Sequence, residues 1–278
     1  MSAKWNLIVD LDLCVNCHNC VLATKDEHIG NDFPGYSAAQ TSPGIDTVRV
    51  EKHSRGSGTQ VELTYVPRMC SHCDDAPCLK ADKGGALRKR EDGIVLLDPK
   101  AANSPEVQSL CPFGMIRWDE VAGVAHLWTF DAHLLDAGWK APRCVQACPT
   151  SALEAVKLED DAMARKVSEE KLGVFPGTET AKPHVYYRHI SRLTHPLLAG
   201  TVLTEENGRT ACAEGISVAL HEAGAERART VTDAFGEFAF DEVSPDFTRI
   251  ELRLSTPDGT EKAVALEGGQ SQVIEISI

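Results

Sequence analysis

Cys14-Val-Asn-Cys17-His-Asn-Cys20 and Cys70-Ser-His-Cys73-Asp-Asp-Ala-Pro-Cys78 decide the fold of the first half of this chain. Each run places three cysteines in one short loop, and each has a remote partner before a proline: Cys148 for the first run and Cys111 for the second. One loop can wrap three corners of a cubane iron–sulfur cluster, whereas the fourth corner needs a distant segment. The spacing therefore predicts two 4Fe–4S clusters, with the ligand sets Cys14, Cys17, Cys20, Cys148 and Cys70, Cys73, Cys78, Cys111.

Structural zinc is the alternative interpretation of these spacings. Zinc sites usually combine two pairs of ligands, whereas three cysteines follow one another here. His18 and His72 could also ligate a metal, but each lies inside a triple that is already complete. Disulfides are disfavoured because no secretory signal is apparent and the first three cysteines are too crowded to pair readily. The cluster interpretation is therefore favoured.

Length and charge narrow the class of protein. The 278 residues suffice for two domains, and the net charge of −13 argues against binding to nucleic acid. No run of about 18 apolar residues is present, so no membrane span is expected. The first ten residues do not resemble a signal peptide, so a cytoplasmic location is expected. A subunit exported while bound to a signal-bearing partner would look the same.

The chain is expected to fold in three parts. Residues 1–158 hold nine of the ten cysteines and predict an α+β ferredoxin-like domain of the two-cluster type. Residues 159–198 predict a helix over 159–173 and then an extended, proline-containing connector. Strands of the first part are predicted at 6–10, 61–65 and 93–98. Arg88-Lys-Arg90 is interpreted as an exposed turn.

Residues 199–278 predict an all-β domain. Seven short alternating segments, separated by turn residues, indicate a sandwich or small barrel. The stretch Thr232–Phe240 resembles the strand–turn–strand signature of transthyretin-like sandwiches, and an Ig-like sandwich fits the same pattern. Cys212 is interpreted as a small core residue. The expected strands are 202–205, 216–221, 229–233, 237–241, 248–254, 262–267 and 272–278.

The segment Arg143-Cys-Val-Gln-Ala-Cys148-Pro-Thr-Ser-Ala152 matches the closing segment of a two-cluster ferredoxin. In that plan Cys144 serves a neighbouring cluster, together with a fourth cysteine of the opening motif. Thr24 stands at that fourth position here. Cys144 is therefore left without its expected partner in the opening loop.

With these motifs the chain resembles the iron–sulfur small subunits of molybdopterin oxidoreductases of the dimethyl sulfoxide reductase family. Within the family, the resemblance is to small subunits of transhydroxylases that act on hydroxylated aromatics and carry a β module after the ferredoxin-like part. It implies a large catalytic subunit that alone holds molybdopterin, a small subunit without catalytic residues, and three clusters in that small subunit. The motifs that carry it are Cys70–Cys78, Arg90–Pro99, Cys111–Gly114, Asp131–Asp136, Pro142–Cys144, Lys182–Tyr187 and Phe235–Phe238.

The chain departs from this pattern at the third cluster. The resemblance implies ligands at Thr24, Trp128, Asp131 and Cys144, of which only Cys144 carries a thiol. Threonine, tryptophan and aspartate cannot replace three thiolates around an iron–sulfur cube. We therefore predict that this position holds no cluster and that Trp128 fills the space. A different metal bound by Cys144, Asp131 and His133 is the alternative. A fourth family cluster is also absent, because Asp82 replaces one cysteine and Cys111 lacks its three predecessors.

Four roles follow from this pattern. The favoured role is a cluster-bearing small subunit of a transhydroxylase. The alternatives are the small subunit of a resorcinol-type hydroxylase, a purely structural assembly subunit, and a free-standing ferredoxin-like electron carrier. A hydroxylase of the resorcinol type must export electrons, whereas a transhydroxylase makes no net redox change.

Overall fold

The computed structural model describes residues 3–41, 45–206 and 208–278. The chain divides into two compact units. The first unit runs to Lys52 and resumes over Tyr65–Ile190, and the second comprises His53–Thr64 and Ser191–Ile278. Within the described residues, no helix is both long and apolar enough to cross a bilayer.

The first unit is built from short elements. Its helices are α1 Asn19–His28, α2 Pro77–Ala81, α3 Ala132–Asp136, α4 Arg143–Gln146 and α5 Asp160–Glu169, with 3₁₀ turns at Pro105–Leu110 and Glu179–Ala181. Its strands are β1 Lys4–Asp10, β4 Leu87–Lys89, β5 Val95–Leu97, β6 Arg117–Asp119, β7 Val124–His126, β8 Leu153–Leu158 and β9 Val185–Arg188. The hairpin of β2 Val48–Ser57 and β3 Gln60–Met69 belongs partly to each unit, because its tip is assigned to the second.

A three-stranded sheet in the order β8-β1-β9 is the largest in the first unit. Leu7, Ile8 and Val9 of the central strand β1 are fully buried. Strand β1 pairs antiparallel with β8, so that Val9 is opposite Leu153, and parallel with β9. The antiparallel pairing places the end of β1 beside the start of β8. The sheet therefore brings the loop after residue 10 next to the segment before residue 153.

The expected elements of the first unit are largely present. Strands occur at each of the three predicted positions, and α5 lies within the helix predicted over 159–173. The prediction of an exposed turn at Arg88-Lys-Arg90 is wrong, because Arg88 and Lys89 belong to β4 of a hairpin. Strand β9 lies in the stretch expected to be a connector, and its backbone pairs with β1. Tyr187 of that strand is buried, which gives the stretch a packing role.

The second unit is rich in β structure. Its elements are α6 Ser191–Thr194, β10 Leu198–Glu206, β11 Arg209–Cys212, β12 Ser217–Glu222, β13 Ala225–Val231, β14 Glu237–Phe240, β15 Arg249–Ser255, β16 Glu261–Glu267 and β17 Gln272–Ser277. One sheet has the order β11-β10-β14 with β17 also paired to β10, and the other has the order β13-β12-β15-β16. All seven expected strands occur, and β11 is an additional one.

Both sheets contribute to one hydrophobic core. In β15 the alternate residues Ile250, Leu252 and Leu254 are buried, which is the period of two expected of a strand with one buried face. They pack in the same cluster as Val202 and Phe238 from the opposite sheet. The prediction that Cys212 lies in this core is wrong, because the residue is exposed at the end of β11.

Gly200 lies in the second unit at a position that leaves no room for a side chain. It lies in β10 between β14 and β17, and an added Cβ would be 2.5 Å from the Ile274 carbonyl oxygen and 2.8 Å from the Phe238 ring. We expect Gly200→Ala to lower the free energy of unfolding by about 1–3 kcal/mol, because the paired strands leave the methyl no room. Thermal unfolding measures the change. Gly84→Ala, whose Cβ would meet no atom closer than 3.7 Å, is the control and should have little effect.

Candidate metal centres

The first cysteine site forms where β1 ends. Cys14 and Cys17 lie in the loop after β1, and Cys20 is the second residue of α1. Cys148 belongs to the segment that enters β8, which the antiparallel pairing holds beside that loop. All four cysteines line one small pocket. The first predicted ligand set is thus brought together around a common space.

The loop of this site has the backbone that a cluster requires. Asn16 and His18 have left-handed backbone angles, with φ of 58° and 60°. The Asn16 amide lies close enough to the Cys14 sulfur to lower the pKa of that thiol. Amide N–H groups aimed at sulfur stabilise iron–sulfur clusters and tune their potentials.

The thiols of the first site are close enough to affect one another. Burial raises the pKa of Cys14, and Cys148 and Cys17 raise it further against the Asn16 amide. Burial raises the pKa of Cys20 to about 11, with contributions from Cys14, Cys17 and Cys148. Four adjacent thiolates repel one another unless a cation lies among them. Cluster binding must therefore displace protons from these thiols.

The second cysteine site forms where β3 ends. Cys70 follows β3 directly, and Cys78 is the second residue of α2. Cys111 follows the 3₁₀ turn Pro105–Leu110, which packs against α2. Burial raises the pKa of Cys73 to about 12, and Cys78 and Cys111 raise it further. Burial, Cys111, Cys73 and Cys78 likewise raise the pKa of Cys70. The second predicted ligand set is thus also assembled.

The β4–β5 hairpin contacts the Cys70–Cys78 loop of the second site through hydrogen bonds. His72 has a φ of 47°, and its amide donates to the Cys70 sulfur. The Val95 N–H of β5 donates to His72 Nδ1 over 3.0 Å, so the imidazole proton resides on Nε2. The Lys89 ammonium of β4 donates to the carbonyl oxygens of His72 and Cys73 over 2.9 and 2.7 Å. Strands β4 and β5 therefore fix the loop from its backbone and from its buried histidine.

The donor chemistry of both cysteine sites suits an iron–sulfur cluster. Each site offers four thiols, three from one loop and one from a distant segment, which is the donor set that a 4Fe–4S cube takes. Within the described parts of the chain, no three His, Cys, Asp or Glu side chains converge closely enough to hold a single metal ion.

The four residues that the resemblance places at a third cluster are buried. Thr24, Trp128, Asp131 and Cys144 are all 2% exposed or less. Thr24 Oγ1 donates to the Cys20 carbonyl oxygen over 2.9 Å. The Trp128 ring packs on Phe130, with ring centroids 4.7 Å apart. Burial, together with Asp131 and Cys20, raises the pKa of Cys144. These residues do not fit a cluster, because one thiol cannot hold it.

Asp131 forms a buried network that the sequence did not reveal. Its Oδ1 lies 3.2 Å from His28 Nε2, and its Oδ2 accepts the Arg143 N–H over 2.7 Å. The other His28 nitrogen, Nδ1, lies 3.3 Å from Ser37 Oγ. Polar groups at this depth need such partners. His28 is 103 residues before Asp131, and no local pattern indicated the pair.

His133 does not join Cys144 and Asp131 in a metal site. Its Nε2 lies 3.0 Å from Glu27 Oε1, and its ring stacks on Phe33 with centroids 3.7 Å apart. Among the residues that the structure describes, no ligand group of three forms there. The alternative of a different metal at the third position is therefore not supported.

The third position lies between the two cysteine sites. Cys20 of the first site is near enough to Cys144 to raise the pKa of its buried thiol. On the other side, the Trp128 ring centroid is 5.4 Å from that of His72 in the second loop. The Trp128 indole and the buried His28–Asp131 contact therefore lie in the region between the two cysteine sites.

His126 gives the first unit a pH-dependent stability. Burial lowers its pKa to about 4, with Asp119 opposing and His28 reinforcing the shift. A folded-state pKa below the unfolded value means that stability falls as the pH drops from about 6.5 towards 4. Lowering the pH from 7.5 to 5.5 should reduce the free energy of unfolding of both the wild type and His126→Leu. The reduction should be about 1 kcal/mol smaller in His126→Leu, which lacks the buried imidazole. Denaturant unfolding under anaerobic conditions measures this, and equal pH dependence would contradict it.

The comparisons with known proteins agree with this geometry. The family model "4Fe-4S dicluster domain" matches residues 61–158. The pyrogallol hydroxytransferase small subunit of Pelobacter acidigallici is 37% identical over 253 residues, which cover 90% of each chain. A putative dimethyl sulfoxide reductase iron-sulfur subunit of Halobacterium salinarum is 29% identical, over 66% of this chain and 78% of that one.

The comparison with solved structures gives a weaker match. The 5-hydroxyisourate hydrolase of Klebsiella pneumoniae is 22% identical over 30% of this chain and 88% of that chain, with a TM-score of 0.27. That score is too low to identify a fold. The sequence relatives are decisive: the ferredoxin-like part contains a 4Fe–4S dicluster domain, and 90% of the chain aligns with the Pelobacter protein. The chain belongs to the iron–sulfur small subunits of the dimethyl sulfoxide reductase family of molybdopterin oxidoreductases, and it is similar to the pyrogallol hydroxytransferase small subunit.

Proposed function

We propose that this electron-transfer subunit carries two 4Fe–4S clusters, one at each four-cysteine site, and that the third family cluster has been lost. The observation that carries the proposal is the contrast between two assembled sets of thiols and one position filled by Trp128 and the Asp131 network. When bound, each cluster takes up and releases one electron. The chain supplies the thiolates and nearby backbone amides, and it buries Cys20, Cys70 and Cys73.

Metal analysis tests the cluster count. Anaerobically purified protein should contain about eight iron and about eight acid-labile sulfide per chain, because each cube holds four of each. A value near twelve would mean that a third cluster forms despite Trp128. A value near zero, or stoichiometric zinc, would overturn the cluster assignment altogether.

The partner in this proposal is a large subunit that holds the molybdopterin and binds the substrate. The similarity to the Pelobacter protein over 90% of both chains supports this, and it favours hydroxyl transfer between hydroxylated aromatics as the reaction of the complex. A cytoplasmic heterodimer is part of the same proposal. Affinity purification of the chain followed by mass spectrometry should identify a molybdopterin-binding partner. Purification of the chain alone from its native cells would favour a free-standing electron carrier.

A mainly structural role for the clusters is the second candidate. It is favoured by Trp128 and the His28–Asp131 pair, which separate the two sites where a third cluster would link them. Tunnelling between redox centres falls steeply with distance, so the gap suits a transhydroxylase better than a resorcinol-type hydroxylase. Freeze-quenched electron paramagnetic resonance (EPR) during turnover separates these roles. Clusters that stay oxidised indicate an assembly role, and clusters that cycle with substrate indicate conduction.

The second unit is proposed to be a transthyretin-like or Ig-like sandwich. Two four-stranded sheets that share one core support this, as does the return from β14 to β15 through a loop into the opposite sheet. The three-part division into 1–158, 159–198 and 199–278 stays a prediction. An experimental structure of the complex would test both the fold and these boundaries.

A further inference from the structure

Lys89 has an unusual position for a lysine. It ends the short strand β4, and its side chain is only 21% exposed. Its ammonium donates to the carbonyl oxygens of His72 and Cys73 and lies 2.8 Å from Asp74 Oδ1. All three of its partners belong to the Cys70–Cys78 loop. The ammonium is thus fixed against the loop backbone and does not extend into water.

The hairpin determines this position. Lys89 is opposite Val95 in the β4–β5 register, and the Val95 N–H donates to His72 Nδ1. One end of the hairpin therefore holds the loop through two carbonyl oxygens and one imidazole nitrogen. Neither contact involves a cysteine sulfur. The charge of Lys89 can consequently be changed without removing a predicted cluster ligand.

The electrostatic surroundings of the two cysteine sites differ. At the second site, Lys89 opposes the effects of burial, Cys78 and Cys111 on the pKa of Cys73. At the first site, backbone amides are the groups that lower the pKa values of Cys14 and Cys20. Asp82 lies near Cys78, and Asp74 binds Lys4 and His184 as well as Lys89. Lys89 is therefore a cation held directly against the second loop by three contacts.

We propose that Lys89 raises the reduction potential of the cluster held by the Cys70–Cys78 loop and Cys111, so that this cluster accepts an electron before the other. The inference rests on the proposed function, because it needs clusters at both sites. One-electron reduction by dithionite adds one negative charge inside the four thiolates. A fixed ammonium in a poorly solvated position stabilises that added charge. Asp74 acts in the opposite direction, and its carboxylate is shared between Lys89 and Lys4, so that one positive charge of the three groups is left over.

An EPR-monitored redox titration of the full-length, cluster-loaded chain tests this. Lys89→Gln should lower the midpoint potential of one cluster and leave the other unchanged, and Asp74→Asn should raise the potential of the same cluster. Lys89→Arg keeps the charge and should stay near wild type. Lys166→Gln is the matched control, because Lys166 pairs with Glu154 and Glu170, neither of which belongs to the Cys14–Cys20 or the Cys70–Cys78 loop.

Each outcome decides the question. Unchanged potentials in Lys89→Gln with about eight iron per chain would overturn the role of Lys89 and leave the proposed function intact. Equal shifts of both clusters would also overturn it. Iron near zero in the wild type would instead reject the proposed function. If Lys89→Gln loses the second cluster, Lys89→Arg and Asp74→Asn decide: a raised potential in Asp74→Asn supports the charge effect, and cluster loss in both shows that the contacts only brace the loop.

Discussion

Cys111→Ala should leave about four iron and about four sulfide per chain, half the content of the unaltered protein, because a cube with three thiolates is labile. Cys111 is the remote member of the second site and is delivered by the 3₁₀ turn that packs on α2. Its proximity raises the pKa values of the Cys70, Cys73 and Cys78 thiols. Iron and sulfide assays, with EPR spin counting, measure the loss.

Two further cysteines provide controls for this experiment. Cys144→Ala should retain about eight iron, because we assign Cys144 to no cluster despite its complete burial. Cys212→Ala should do the same, because that thiol is exposed in the other unit. Loss of iron in Cys144→Ala would contradict the two-cluster assignment, and full retention in Cys111→Ala would contradict the second ligand set.

Trp128→Ala should cost about 3–5 kcal/mol of the free energy of unfolding, the usual effect of removing a buried aromatic side chain. Trp128 is 1% exposed and packs between Phe130 and His72. Denaturant unfolding in the presence of bound clusters measures the loss. The iron content should not rise, since the three missing thiolates are still missing.

Trp139 offers the matched control for that substitution. It is 40% exposed, so Trp139→Ala should change the free energy of unfolding by less than about 1 kcal/mol. A similar cost for both tryptophans would show that Trp128 does not fill a core position. An iron content that rises towards about twelve in Trp128→Ala would show that the indole alone excludes a third cluster.

The cysteine sites could be predicted from sequence because three of the four cysteines of each site lie close together in the chain. Three thiols in one loop and a Cys-Pro elsewhere leave few ways to complete a cube. The antiparallel pairing of β1 with β8 then explains why Cys148 reaches the first loop. Trp128 was also identified from the sequence, because it occupies a position where the family carries a ligand.

The residues that contact the cysteine loops or lie between them could not be predicted in the same way. The His28–Asp131 pair joins residues 103 positions apart, and the motif that contains Asp131 gives no indication of His28 as its partner. Lys89 was misread as part of an exposed basic turn, because its burial depends on a three-residue strand whose pairing is tertiary. Strand β11 was missed because Arg209–Cys212 is mostly exposed and lacks an apolar alternation. Contacts that depend on distant partners leave no local pattern.

The order in which the ligands occur along the chain has a consequence for biogenesis. The first site joins Cys20 to Cys148 and so closes a loop of chain. That loop contains the whole shorter loop that the second site closes between Cys70 and Cys111. During translation, the inner ligand set is therefore complete before the outer one has been synthesised. The inner ring is also shorter and costs less conformational entropy to close. On the proposed ligand assignment, the Cys70–Cys111 site would receive its cluster first. The Cys14–Cys148 site would receive its cluster later, and that cluster would then hold the end of β1 beside the start of β8.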